Sequence, residues 1–182
     1  MAEIRVTGGE LTGRRLYVPK SGVRPSTGRL REAIFSMLGS VEGACVLDLF
    51  AGSGALGIEA LSRGAREATF VDKDTRAVTR NLRDLGLSAR VERSDVASWL
   101  SRASRSQPPP IYDLVLCDPP YTLAAGLDAD LTAHLAKIVD RDGKLVLETA
   151  ARTPLDLGLP VIKEREYGDT LLRIHSPAEE GA

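Results

Sequence analysis

Hydrophobic and polar positions alternate between two periods along this chain. Short apolar runs rich in strand-forming residues, "ACVLDLF" (44–50), "EATFVD" (67–72), "ARVERSD" (89–95), "YDLVLCD" (112–118) and "GKLVLET" (143–149), recur with helix-length segments between them. In Ala55 to Arg63 and Thr75 to Leu85, Leu, Ile, Ala and Val fall at helical spacing with charges in the gaps. Strand runs separated by amphipathic helices predict a parallel sheet covered by crossover helices. Near the end, "VIKEREYGD" and "TLLRIH" surround a Gly-Asp turn with no helix between them, which predicts an antiparallel pair added to that sheet. The expected fold is α/β, a mixed seven-stranded sheet with helices on both faces.

Ahead of the first core strand, "EIRVTGG" and "RRLYVP" enclose a Gly-rich turn and read as a small β-hairpin, followed by a loop and a helix over "GRLREAIFSML". The stretch "SRASRSQPPP" (101–110) reads as a polar, proline-ended loop. With 182 residues and 43% apolar composition, the chain supports one buried core plus an appendage. The division is then a basic hairpin over 1–22, a main domain over 23–176, and a disordered tail over 177–182.

Charge changes that picture. The net charge is -1, yet residues 1–31 carry +5 and the remainder -6. A basic arm on a mildly acidic body fits a polyanionic partner, while a solvated charged face explains the same cluster without one. No apolar segment approaches the roughly 20 residues that span a bilayer, and the N-terminus lacks a signal-peptide core, so a cytoplasmic protein is expected. Cys45 and Cys117 each sit inside an apolar run and read as buried, reduced thiols. His134 and His175 read as structural, and no metal site is expected.

Candidate chemistry concentrates where strands end. After the first core strand, "DLFAGSGALGIEAL" places Asp48 at the strand end, then Ala51, Gly52, Ser53 and Gly54, then a helix. Glycines there permit a tight turn and close ligand approach, in dinucleotide enzymes and S-adenosylmethionine enzymes alike. Gly52, Gly54 and Gly57 formally match a dinucleotide pattern, but an acidic residue before the loop disfavours a diphosphate and suits a cofactor bearing an ammonium group. Asp72, ending the second strand with Lys73 beside it, can accept from both hydroxyls of a ribose. Asp95, ending the third, can accept from an adenine amino group with the backbone of Val96 nearby, or can cap the next helix.

The fourth strand ends in Asp118-Pro119-Pro120-Tyr121, "DPPY". Two prolines stop a strand, which is the plain reading. They also hold acceptors still: the Asp118 carboxylate and Pro119 carbonyl could take the hydrogens of an exocyclic amine and orient its lone pair, with Pro120 as the brace and Tyr121 stacked on the base.

With "DLFAGSG" and "DPPY" at the first and fourth strand ends in that order, the chain resembles the class I S-adenosylmethionine-dependent methyltransferases, whose fold is Rossmann-like. Adding "RVTGGELTGRRLYVP" and "RPSTGRLREAIFSML", nearly the whole chain resembles the RsmD family. That resemblance implies methylation of N2 of a guanine, position 966, in 16S ribosomal RNA, with the N-terminal hairpin recognising the RNA. It further implies that Asp48, Phe50, Gly52 and Gly54 line the cofactor loop, that Asp72 holds the ribose, and that Asp118 to Tyr121 receive the guanine. Arg24, Ser26, Thr27, Arg29 and Arg31 match a family segment lying beside cofactor and target base. Gly28 replaces an acidic residue of that segment, Asp72 stands where Glu is common, and Tyr121 where Phe is common. Arg5, Arg14, Arg15 and Lys20 on the hairpin would meet phosphates. The target base must be unpaired or flipped, so an assembling small subunit is the expected partner of a monomeric enzyme. Adenine N6 methylation of DNA or RNA and a noncatalytic rRNA-binding assembly role are the alternatives that this sequence leaves open.

Overall fold

The computed structural model of the protein describes residues 4–19, 27–120 and 128–177. Within them a two-stranded hairpin, β1 (Ile4–Arg5) and β2 (Arg15–Leu16), precedes α1 (Gly28–Leu38). The main sheet follows as β3 (Cys45–Leu49), α2 (Ala55–Ser62), β4 (Glu67–Asp72), α3 (Arg76–Leu85), β5 (Arg90–Arg93), α4 (Val96–Ala103), β6 (Tyr112–Cys117), α5 (Asp128–Leu135), β7 (Val139–Ala150), β8 (Val161–Tyr167) and β9 (Thr170–His175). Its strand order is β5-β4-β3-β6-β7-β9-β8. All neighbours from β5 to β7 are parallel, and β9 runs antiparallel to both β7 and β8. The predicted mixed seven-stranded sheet is present, with its hairpin-linked pair inserted so that the last strand lies inside the edge.

Alternation along the central strands fills a core on each face. Val46, Ala68, Phe70, Leu114, Leu116 and Val146 pack toward α1, α2 and α3. Leu47, Leu49, Val71, Val115, Leu145 and Leu147 pack toward α4 and α5 with Trp99 and Leu135. Burial on both sides is what a parallel strand between helical layers requires, and it explains the near-continuous apolar runs in the sequence. One boundary moves: Ser101–Ala103, read as the start of a loop, complete α4. Asp95 caps that helix by accepting from Ser98 N at 3.1 Å, and buried Trp99 and Leu100 carry it onward, so local polarity does not end it. The irregular part begins only after Ser104, and the tail beyond residue 177 lies outside the described residues.

The N-terminal hairpin is docked rather than appended. Glu59 on α2 has no solvent exposure, yet it is a carboxylate in an otherwise apolar run. Its oxygens accept from Thr7 N at 2.9 Å, Thr7 Oγ1 at 2.8 Å and Arg63 Nε at 3.0 Å, and Arg31 Nε lies 3.8 Å away. Arg31, 1% exposed, also donates to the Arg5 carbonyl at 2.6 Å, so one buried pair ties hairpin, α1 and α2 together. One turn further along α2, Ser62 Oγ donates to Gly8 O at 2.6 Å and accepts from Leu11 N at 2.9 Å. A buried carboxylate is tolerated only where donors fill its acceptor sites. The sequence expectation that Arg31 contacts RNA is therefore corrected: its guanidinium is enclosed in the interior and neutralises Glu59.

Removing Glu59 takes away the carboxylate that faces the buried Arg31 cation and the acceptor for both donors of Thr7. We expect Glu59→Ala to cost about 3 kcal/mol in urea unfolding. The backbone amide of Thr7 should also exchange with deuterium much faster than the amides of β3 in the same sample.

Candidate active site at the reversal of strand order

From β3 the chain winds outward through β4 and β5, then returns to place β6 on the other side of β3. The register Leu49↔Cys117 sets the carboxyl ends of these two strands side by side. Open α/β sheets bind ligands in the crevice outside such a reversal, because loops leaving the two strands diverge onto opposite faces. Here the two loops are the glycine-rich turn after β3 and Asp118-Pro119-Pro120 after β6. The two strongest motifs in the sequence thus meet at one point.

On the β3 side the turn is tight. Phe50 takes φ 58°, a left-handed conformation uncommon outside glycine, and Gly52 and Gly54 follow at φ 54° and 76°. The two glycines have different reasons to be there. A Cβ at Gly54 would lie 2.5 Å from Val78 Cγ2, so that residue is small for packing, whereas a Cβ at Gly52 would meet nothing closer than Phe50 O at 3.9 Å. Gly52 therefore opens its backbone to the space above the strand ends. Asp72, at the end of β4, accepts from Gly52 N at 2.8 Å through one oxygen and from Asp74 N at 2.8 Å through the other, holding the turn against the neighbouring strand.

Asp48 is 2% exposed and accepts from Gly57 N at 2.9 Å in the first turns of α2. Burial pushes its carboxyl up to about 7; the Gly57 N–H opposes that and nearby Asp72 adds to it. Asp95 forms an ion pair with Lys73 at 2.9 Å in addition to capping α4. The cap reading of Asp95 is realised, and the Val96 backbone lies at the start of that helix. On the β6 side Asp118 is half-buried, Pro119 buried and Pro120 exposed. Cys117 beneath them is pushed far above the usual thiol range by burial and by Asp118 and Asp48, and Cys45 is pushed up to about 11, chiefly by burial. Both are buried free thiols. His175 is fully buried with Nδ1 3.0 Å from Leu159 O, and His134 Nδ1 lies 2.8 Å from Ser104 Oγ.

Of the basic group, Arg5, Arg14, Arg15 and Arg29 are exposed. Arg14 reaches the Asp84 carbonyl at 3.5 Å, and Arg5 the Gly13 carbonyl at 3.2 Å. Thr27 caps α1 by accepting from Leu30 N at 3.3 Å, so the helix start is secured without an acidic residue at position 28. Lys20, Arg24, Ser26 and Tyr121 lie outside the described residues. Sequence reasoning missed Asn81. Buried on α3, it accepts from Tyr17 N at 2.7 Å and donates to Tyr17 O at 2.9 Å and to Ser53 O at 2.8 Å, joining the hairpin to the glycine-rich turn. Its signal was available: Asn81 interrupts the apolar stripe Ala77, Val78 and Leu82, as Glu59 interrupts that of α2.

Strand order and the two loops at its reversal define a class I methyltransferase. The family model described as Conserved hypothetical protein 95 matches residues 4–176, and the chain belongs to that family. It is 35% identical over 196 residues to the Ribosomal RNA small subunit methyltransferase D of Escherichia coli, covering 98% of this chain and 92% of that protein. YlbH of Bacillus subtilis is 38% identical over 183 residues, covering 94% and 98%. A solved Escherichia coli structure superposes with a TM-score of 0.82 at 32% identity, covering 98% of this chain and all of that one. A more distant structure, solved with SAH, shares the fold at a TM-score of 0.70 and 16% identity, covering 88% of this chain and 53% of that one.

A carboxyl that titrates near 7 when folded, and near 4 when unfolded, binds a proton in the native state that the unfolded chain has lost. Stability from this group therefore falls as pH rises between these values and levels off above about 7. Asp48→Asn should abolish that dependence and melt above the unmodified protein at alkaline pH, a comparison made by thermal denaturation across the window.

Proposed function

We propose that the protein transfers a methyl group from S-adenosylmethionine to the exocyclic N2 of a guanine, position 966, in the 16S RNA of the small ribosomal subunit. The observation carrying this reading is the meeting of Asp118-Pro119-Pro120 with the glycine-rich turn across the β3–β6 register. The relative named for small-subunit ribosomal RNA, which covers almost the whole chain, supports the substrate class. The structure of this fold solved with SAH supports the cofactor. A cytoplasmic setting and an assembling subunit as substrate belong to the same reading.

The residues present fit such a cofactor. Gly52 leaves its backbone accessible, and carboxylates stand at the ends of β3, β4 and after β5, which suits a ligand with an ammonium, a ribose and an adenine amino group. Asp48, Phe50, Ala51, Gly52 and Gly54 would hold the amino-acid portion, Asp72 with Lys73 the ribose, and Asp95 with the Val96 backbone the adenine. When bound, S-adenosylmethionine supplies a sulfonium methyl carbon as electrophile.

The chain's own work is on the amine. The nitrogen lone pair of guanine N2 is delocalised into the ring, so the group is a weak nucleophile. Asp118 and the Pro119 carbonyl would accept its two hydrogens, directing the lone pair along the line of attack. Pro120 braces the carbonyl and Tyr121 would stack on the base. The new N–C bond would form as the bond between the methyl carbon and its sulfur breaks, leaving a neutral thioether, and the amine proton made acidic by the added methyl would pass to the Asp118 carboxylate. Arg5, Arg14, Arg15, Lys20, Arg24, Ser26, Thr27 and Arg29 would steer and position the RNA backbone around this point.

Incubation with tritiated cofactor and small subunits lacking the modification should label one guanine, mapped by nucleoside mass spectrometry as N2-methylguanine. Asp118→Ala should lower kcat at least about a hundredfold with little change in the KM for cofactor. N6-methyladenine as the labelled product would overturn the reading.

A further inference from the structure

Among the described residues four large apolar side chains are conspicuously exposed: Tyr17, Ile111, Val161 and Tyr167. Ile111 precedes β6 at the end of the sheet opposite the site, and Val161 and Tyr167 bound the edge strand β8. Only Tyr17 belongs to the same neighbourhood as the glycine-rich turn. Its backbone N–H and carbonyl are both held by Asn81, whose amide also donates to Ser53 in that turn. Tyr17 is 43% exposed although its main chain is fixed twice.

The ring lies against a cation. The Arg80 guanidinium sits over it with its carbon 4.1 Å from the ring centroid. Arg76, one helical turn earlier on α3, is close enough to interact electrostatically with Tyr17. Arg14 reaches the carbonyl of Asp84, one turn beyond Arg80 on α3, and has no carboxylate within ion-pairing distance among the described residues. Asp84 and Asp74 pair with Arg80 and Arg76, so the charge left uncompensated beside the flat π surface is that of Arg14, and the two together match an unpaired nucleotide with its phosphate rather than a protein side-chain surface.

We propose that Tyr17, stacked on Arg80, is a platform for an unpaired nucleobase of the RNA substrate flanking the target guanine, with Arg14 taking an adjacent phosphate. The site rests on the function proposed above and adds a contact to it. A flipped or splayed target leaves its neighbours unstacked, and a platform beside the cofactor turn replaces part of the stacking that the RNA gives up. Asn81 makes the platform's position and that of the turn a single geometric unit.

The test is methyl transfer to small subunits lacking the modification, with salt titration. Tyr17→Leu keeps an apolar residue and loses the stack; it should raise the KM for the particle about tenfold with kcat held, and Tyr17→Phe should restore it. Because no charge is removed, the slope of log KM against log salt should match that of the unmodified protein, whereas Arg14→Ala should flatten it by about 1. A photoreactive phenylalanine analogue at position 17 should crosslink to RNA. A Tyr17→Leu protein within about twofold of the unmodified one, or a crosslink that lands on a ribosomal protein, overturns the platform while guanine methylation by the unmodified protein leaves the proposed function standing. Absence of any methyl transfer by the unmodified protein brings down both.

Discussion

A carboxylate without access to water sets the terms for this fold. Glu59 lies on the helix that leaves the glycine-rich turn, and its acceptor sites must be filled by the protein itself. The donors come from the hairpin through Thr7, from α1 through Arg31, and from its own helix through Arg63. Each of these segments is thereby fixed relative to α2, and α2 is fixed to the sheet by Phe70 and Asp48 closing on Gly57. The chain of constraint runs from the N-terminal hairpin to the glycine-rich turn after β3 through hydrogen bonds and close packing.

Polar groups within the site are held in a costly state for a reason consistent with its chemistry. Burial favours the neutral form of Asp48 where it sits, and Phe50 occupies backbone space that favours glycine. Strain and unfavourable burial of this kind persist where the surroundings over-determine them, and they cluster where ligands bind. The reversal of strand order supplies the crevice, and these two residues shape its first loop.

Much of this was legible in the sequence because the signals were local. Strand ends at Leu49, Asp72 and Cys117 were readable from apolar runs stopped by acidic residues, glycines or prolines, and the hairpin-linked pair at the end from alternation around Gly168. What escaped was nonlocal. Arg31 reads as one arginine in a basic segment; only the fold reveals that Glu59, 28 positions away, needs it inside. Asn81 bonds to partners 28 and 64 positions away, a relation that no periodicity encodes. Both cases left the same faint mark, a polar residue on the buried stripe of a helix, which names a position where a partner is required without naming the partner. Ser101–Ala103 failed in the opposite sense, since a polar composition concealed the end of a helix capped by Asp95 and anchored by buried Trp99 and Leu100.

The pair of ties at Glu59 and Asn81 bears on how such an arm could have been acquired. A recognition element joined to a catalytic domain by a linker can be exchanged between enzymes as a cassette. This one cannot, since its main chain completes the hydrogen bonding of side chains that belong to the domain's own helices. A transplanted hairpin would have to arrive with the inner faces of α1, α2 and α3. The heritable unit is therefore the arm together with the helices beneath it, and variation that spares the fold is confined to the outward-facing positions of the arm.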